Sequence, residues 1–286
     1  MSGPTIFGIL NITEDSFSDG GRHLDPASAL AAARRLVADG ADVVDLGAAA
    51  SNVDATPVAP ETEIRRLAPV IAALKAAGAA VSVDSFAPET QRFALTQQVD
   101  YLNDVQGFPV PSLYPALAAA RCRLVVMHAV QGRARAQRDP VPTRDIWRRI
   151  EDFFGARLAA FDAAGITRDR LILDPGMGFF LGGEAEASFV VLAALDRLKR
   201  RFGLPVLISV SRKSFLAAIT GAQEPAARGA ATLAAELFAA ENGADYIRTH
   251  DPRALKDGLA VMAALRTARP TGLRPYTPRN SARRGR

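Results

Sequence analysis

The chain has 286 residues, 49% of them hydrophobic and 23% charged, a balance that excludes disorder for most of its length and allows one large core. Its net charge of +5 is local: six arginines and no acid lie between Arg269 and Arg286, which leaves 29 basic against 30 acidic groups in residues 1–268 and no broad basic face for nucleic acid. No apolar run reaches the ~18 residues of a membrane span, Met1-Ser2-Gly3-Pro4-Thr5 is not a basic-then-apolar leader, and a lone Cys122 with three histidines forms neither a disulfide nor a zinc-ligand spacing, so a cytoplasmic chain is expected.

In chain order, apolar runs alternate with Ala-rich stretches of helical period. Strands are predicted at Ile6 to Asn11, Val43 to Leu46, Ala80 to Asp84, Tyr101 to Asn103, Leu124 to Met127, Leu171 to Asp174, Val206 to Val210 and Tyr246 to Thr249. Each precedes a predicted helix: Pro26 to Asp39, Glu61 to Ala77, Pro88 to Gln98, Pro111 to Ala120, Arg144 to Ala164, Ala185 to Phe202, Pro225 to Glu241 and Pro252 to Ala268. Prolines at several helix starts and glycines after the ends, as at Gly40, Gly78 and Gly243, support these boundaries. Eight such units match an α/β, single-domain (β/α)8 TIM barrel over residues 1–268 better than an open doubly wound sheet. Residues 269–286, basic and proline-containing, read as a solvated, disordered tail.

Four of the strands end on Asn or Asp: Asn11, Asp84, Asn103 and Asp174. Gathered at the carboxyl ends of a barrel, these side chains form a floor of donors and acceptors suited to a flat, nitrogen-rich heterocycle. Asp174 precedes Pro175-Gly176-Met177-Gly178-Phe179-Phe180, a carboxylate followed by two glycines and two rings. Lys213, one of only four lysines against 31 arginines, follows strand seven, where Ser211 and adjacent amides can open a helix whose amino end favours an anion. On strand eight, Arg248 and His250 share a face at a spacing of two and suit a phosphate or pyrophosphate with a metal ion alongside. His128, after strand five, reads equally well as a structural histidine. The polar loop from Asn11 to Gly21 carries one apolar anchor, Phe17, and suits a segment that orders over bound ligand.

The runs from Gly8 to Gly21, Ser82 to Ser85, Leu102 to Asp104, Asp174 to Phe179, Ser211 to Ser214 and Arg248 to His250 resemble dihydropteroate synthase, in register over about residues 5–265. That resemblance implies a homodimeric TIM barrel of folate biosynthesis that joins 6-hydroxymethyl-7,8-dihydropterin pyrophosphate to 4-aminobenzoate with Mg²⁺, releasing pyrophosphate. By motif, Asp84, Asn103, Asp174 and Lys213 would hold the pterin. Asn11, Arg248 and His250 would hold Mg²⁺ and pyrophosphate, with Asn11 the metal ligand. Aminobenzoate would lie near Ser211 and the helix start, with Phe179 against its ring. Asp84, Asp174, Lys213, Arg248 and His250 would form the catalytic set, with no strong general base.

Two stretches depart from the family pattern. Gly47-Ala-Ala-Ala-Ser-Asn-Val-Asp54 lacks the arginine and threonine usual after strand two, where Ser51 and Asn52 are position-compatible, and Glu14 replaces a proline in the first loop. After strand six, Phe180 and Leu181 interrupt a run that usually passes from Phe through a small residue to Lys. Together these features are similar to the sulfonamide-insensitive Sul group, and they suggest that Phe180, at the pocket rim, excludes the bulkier sulfonyl while admitting a planar carboxylate. A methyltetrahydrofolate-binding methyltransferase barrel shares the Asp and Asn strand ends, but is not expected to combine Ser211-Arg-Lys213 with Arg248-Thr-His250. An inactive pterin-binding scaffold would tolerate loss of Asn11, Arg248 or His250, all of which are present.

Overall fold

The computed structural model describes residues 3–12, 26–49, 58–130 and 142–268. Loop residues Glu14, Phe17, Ser51 and Asn52 and the arginine-rich tail lie outside the described residues. Eight strands, β1 Thr5–Asn11, β2 Val43–Gly47, β3 Ala80–Asp84, β4 Tyr101–Asp104, β5 Arg123–Met127, β6 Leu171–Asp174, β7 Leu207–Ile208 and β8 Tyr246–Thr249, pair in parallel in the order β6-β5-β4-β3-β2-β1-β8-β7. A bridge between Leu173 and Val206 joins β6 to the chain just before β7, so the sheet curls into a barrel. Around it lie α1 Pro26–Ala38, α2 Pro60–Ala76, α3 Pro88–Thr96, α4 Tyr114–Ala119, α5 Ile146–Ala163, α6 Ala185–Leu192, α7 Asp196–Phe202, α8 Ala217–Thr220, α9 Gly229–Glu241 and α10 Pro252–Thr267.

The strands are nearly continuous in Val, Ile and Leu because both faces are buried, one by the helices and the other by the barrel interior. The outward side chains join the main core, whereas Phe7, Val43, Val125, Ile172, Leu207 and Tyr246 fill the lower interior. Phe7 meets Tyr101 and Tyr246 edge-on at 4.9 and 5.8 Å between centroids. Two residues along the same strands, and therefore on the same interior face, the side chains become polar: Asp45, Asn103, Asp174, Ser209 and Arg248. Register then sets Asn11, Gly47, Asp84 and Asn103 abreast across four neighbouring strands. An apolar plug beneath a polar layer at the carboxyl ends is what positions the site.

Several predicted elements differ in extent. The seventh strand is cut to two residues because the Asp245 carboxylate takes the Val206 N–H at 2.9 Å and a turn from Lys213 N–H to the Val210 carbonyl draws the chain out of the ladder. The predicted helix from Ala185 to Phe202 divides into α6 and α7, and both pieces still bury apolar residues, Val191 and Leu198 among them. Helices predicted from Pro111, Arg144 and Pro225 begin as short 3-10 turns. No described helix is long and apolar enough to cross a membrane.

Candidate active site

Arg248 is the centre of the charge pattern. Its guanidinium bonds Asp45 through Nε and Asp84 through Nη2, the latter at 2.7 Å. Asp45 is 0% exposed, while Arg248 and Asp84 side chains keep 17% and 15% of their surface. Burial opposes the Arg248 charge, but Asp45 and Asp84 outweigh it and hold the cation more firmly than usual. Burial likewise pushes Asp84 up to about 7; Arg248 pulls against that shift, and Asp45, Asp104 and Asp174 add to it. Arg248 is therefore tied to acids on the interior wall. Asp45 was not among the residues the sequence singled out, because it sits inside a strand, not at its end. A carboxylate interrupting Val43-Val44-Asp45-Leu46 was the available signal, since a buried acid needs a cation.

Across the mouth, Asp174 is buried and accepts the Gly176 N–H at 2.8 Å. Burial raises its pKa, with Lys213 opposing. Gly176 has φ +76, and a Cβ there would stand 2.4 Å from the His128 carbonyl oxygen, so only glycine lets the chain turn beneath the carboxylate. His128 donates its backbone N–H to the Asp174 carbonyl at 2.8 Å and sets Nδ1 3.0 Å from the Pro175 carbonyl. Burial lowers its pKa to about 4, which makes it a neutral structural histidine that fixes this turn. Lys213 donates to the Met177 carbonyl at 3.1 Å, and burial pulls it down to about 8 despite Asp174. Its ammonium lies 5.2 Å from the centre of the Phe180 ring. Phe180, 9% exposed, packs with Val105, Met127 and Ala129, so the ring forms part of the wall beneath the rim on which the sequence placed it. Asn103 is buried, and its Oδ1 has no hydrogen-bond partner among the described residues.

The expected pairing of Arg248 with His250 takes a different form. His250 lies one residue past β8; its backbone N–H donates to Ser211 Oγ at 3.1 Å, with Nδ1 2.9 Å from the same oxygen. Burial, then Arg212, Arg248 and Lys213, depress its pKa to about 3, so it is a neutral imidazole and not a second cation. Ser211 is thereby engaged with His250. No long helix opens after it: a 3-10 turn, Ser214–Leu216, leads to the four-residue α8, which Gly221 stops at φ +72, so little helix dipole faces an anion here. The Ser211-Arg212-Lys213 corner is instead pinned from behind. Arg212, at φ +59, gives its N–H to Thr232 Oγ1 at 3.0 Å, and its carbonyl accepts from Arg228 at 2.7 Å. Beside this corner a groove of about 300 Å³ opens between Phe179, Glu184, Ser214, Phe215 and Gln223.

At the far edge of the mouth Asn11 ends β1, its Oδ1 3.4 Å from where a Gly47 Cβ would stand. Among the described residues no three His, Cys, Asp or Glu side chains form a metal cluster. Asn11 alone offers one neutral oxygen, a donor set that fits Mg²⁺ arriving on phosphate oxygens and water and not a metal caged by protein.

A family model described as pterin binding enzyme matches residues 7–250. Dihydropteroate synthase type-2 of Escherichia coli is 61% identical over 265 residues, 92% of this chain and 97% of that protein. Among solved structures, Xanthomonas albilineans dihydropteroate synthase with 4-aminobenzoic acid aligns at TM-score 0.82 and 37% identity, over 94% of this chain and 95% of the other. The same enzyme with 7,8-dihydropteroate aligns at TM-score 0.79 and 34% identity over the same shares. On fold and sequence, the chain belongs to the dihydropteroate synthase family of pterin-binding enzymes.

Proposed function

We propose that the chain condenses 6-hydroxymethyl-7,8-dihydropterin pyrophosphate with 4-aminobenzoate to give 7,8-dihydropteroate and pyrophosphate in folate biosynthesis. The observation that carries this reading is the buried polar layer with an unpartnered acceptor: Asn103 Oδ1 lies in line with Asp84, in a mouth that also holds Asp174 and Lys213. A pterin presents N–H donors to the carboxylates and to Asn103, and a ring carbonyl to Lys213. Such a ligand satisfies groups that burial otherwise penalises. As the methylene C–O bond breaks, the electron pair leaves with pyrophosphate and positive charge spreads over the pterin, next to Asp84 and Asp174. The aromatic amine then forms the C–N bond and gives up its proton to solvent or to the departing phosphate.

Arg248 holds the leaving group through charge, and neutral His250 through hydrogen bonding. Asn11 would hold Mg²⁺, which when bound would supply further neutralisation of that leaving charge. Aminobenzoate would take the groove beside Phe179 and Ser214, with the Phe179 ring against its own. The test is Mg²⁺-dependent release of pyrophosphate from the two substrates by the purified protein. No release in the presence of both substrates and Mg²⁺ rejects the assignment.

The same protein is proposed to resist sulfonamides. Support comes from the Phe180-Leu181 interruption and from the Phe180 ring, which packs in the wall with Met127 and lies 5.2 Å from the Lys213 ammonium. A homodimer is proposed through α9 and α10, which pack together and leave Phe238, Val261 and Leu265 exposed at 43%, 59% and 59%. A monomer by light scattering at working concentration rejects that part.

A further inference from the structure

Behind the pterin floor, on the side of the barrel facing α2 and α3, lies a second polar cluster that touches no substrate. Ser85 follows Asp84, and Asp104 follows Asn103. One side chain joins the two: the Gln91 amide on α3 donates to the Ser85 carbonyl at 2.7 Å and to Asp104 Oδ2 at 2.8 Å. Ser85 Oγ donates to Glu63 Oε2 on α2 at 2.7 Å, and the Ser85 N–H reaches the Asn103 carbonyl at 3.1 Å. Asp104 also accepts the N–H groups of Gln106 and Phe108, at 2.7 and 3.1 Å, which holds Phe108 at φ +58. Glu63, Ser85, Gln91 and Asp104 are all buried.

The placement has a physical purpose that packing alone does not require. Asp84 and Asn103 are ladder partners, β3 stops at Asp84, and just beyond that rung the Ser85 N–H to Asn103 carbonyl bond is the main-chain tie between the two chains. The Gln91 bridge adds a side-chain restraint to that single main-chain bond, at the residues whose side chains must meet a rigid ring at two points. Burying a carboxylate and an amide here costs desolvation that an apolar pair would avoid. Misplacement of a binding group by about 1 Å costs on the order of 100-fold in rate.

We infer that Gln91, with Glu63 and Ser85 behind it, is a positioning residue that sets the spacing of Asp84 and Asn103 and so the affinity for the pterin. This rests on the proposed function of the site. Gln91→Met removes both donors at nearly constant volume. The expected result is a rise of about ten-fold in KM for dihydropterin pyrophosphate, and the same loss in calorimetric affinity for pteroate, while KM for aminobenzoate at saturating pterin substrate is unchanged. Ser85→Ala, which keeps the carbonyl but frees Glu63, gives a smaller shift in the same direction, and is the variant read if Gln91→Met is insoluble. Equal pteroate affinity and equal KM values in the variant and the parent, or equal changes in both KM values, overturn the inference. A parent protein that binds no pteroate and turns over no substrate instead rejects the proposed function, so the two failures are separate.

Discussion

Asp45→Asn is the most informative single change in the site. Asn keeps the volume and one acceptor for Arg248 Nε but removes a fully buried charge paired with that cation. Breaking a buried ion pair by removing one partner costs about 3–5 kcal/mol when the other charge is stranded. Here Asp84 still faces Arg248 at 2.7 Å, so the guanidinium is not stranded. The expected loss is that of a charge-assisted hydrogen bond, about 2–3 kcal/mol, measurable by denaturant unfolding. At roughly 2–4 °C per kcal/mol, the thermal midpoint falls by about 4–12 °C. A second, independent signature follows from electrostatics. Asp45 is one of the charges that raise the Asp84 pKa, so its removal moves the acid limb of kcat/KM for dihydropterin pyrophosphate to lower pH. Pyrophosphate release measured across pH reads that limb. A stability change under about 0.5 kcal/mol, the range of ordinary surface substitutions, together with an unmoved acid limb, refutes the role given to Asp45.

In the parent protein, kcat/KM for dihydropterin pyrophosphate is expected to rise as pH passes about 7 and Asp84 ionises, and to fall past about 8 as Lys213 loses its proton; a flat profile from pH 6 to 9 would show that the pair does not govern binding. The signs for stability run oppositely: the raised Asp84 pKa gives a contribution that is full below 3.8 and lost as pH rises through about 7, while the lowered Lys213 pKa gives one that is full above 10.5 and lost as pH falls through about 8. Phe180→Ala is expected to lower the sulfamethoxazole inhibition constant by about ten-fold or more, within the range of a bulk-dependent pocket discrimination. An unchanged constant in a variant that still uses aminobenzoate excludes Phe180 as the discriminator. Chelation of Mg²⁺ is expected to stop turnover while leaving the thermal midpoint in place, because no protein metal cluster occurs among the described residues; a lowered midpoint points to a structural ion.

The barrel was legible because buried parallel strands read as unbroken apolar runs, and the residues ending them, Asn11, Asp84, Asn103 and Asp174, could be placed without any contact information. Asp45 was not legible for the converse reason: its role depends on Arg248, 203 residues away, reaching it across the barrel interior. Periodicity also could not foresee that Asp245 would claim the Val206 N–H and shorten the seventh strand. Nor could it tell that Ser211 Oγ contacts His250, since that contact forms only when the ends of two strands come together. His128, ambiguous in sequence, became a structural residue once its Pro175 partner was known.

The seam between β6 and β7 has a dynamic consequence. It is held by the Leu173–Val206 bridge, with the Leu173 N–H on the Pro205 carbonyl, whereas β5 and β6 pair at four positions and β7 and β8 at two. Asp174 ends one side of this seam and Lys213 follows the other. A ring gripped by both residues would act as a stitch across the weakest closure of the barrel, converting binding energy into resistance to local opening. Amide hydrogen exchange at Leu207 and Ile208 should therefore slow when pteroate is added, and the free barrel should open first along this line.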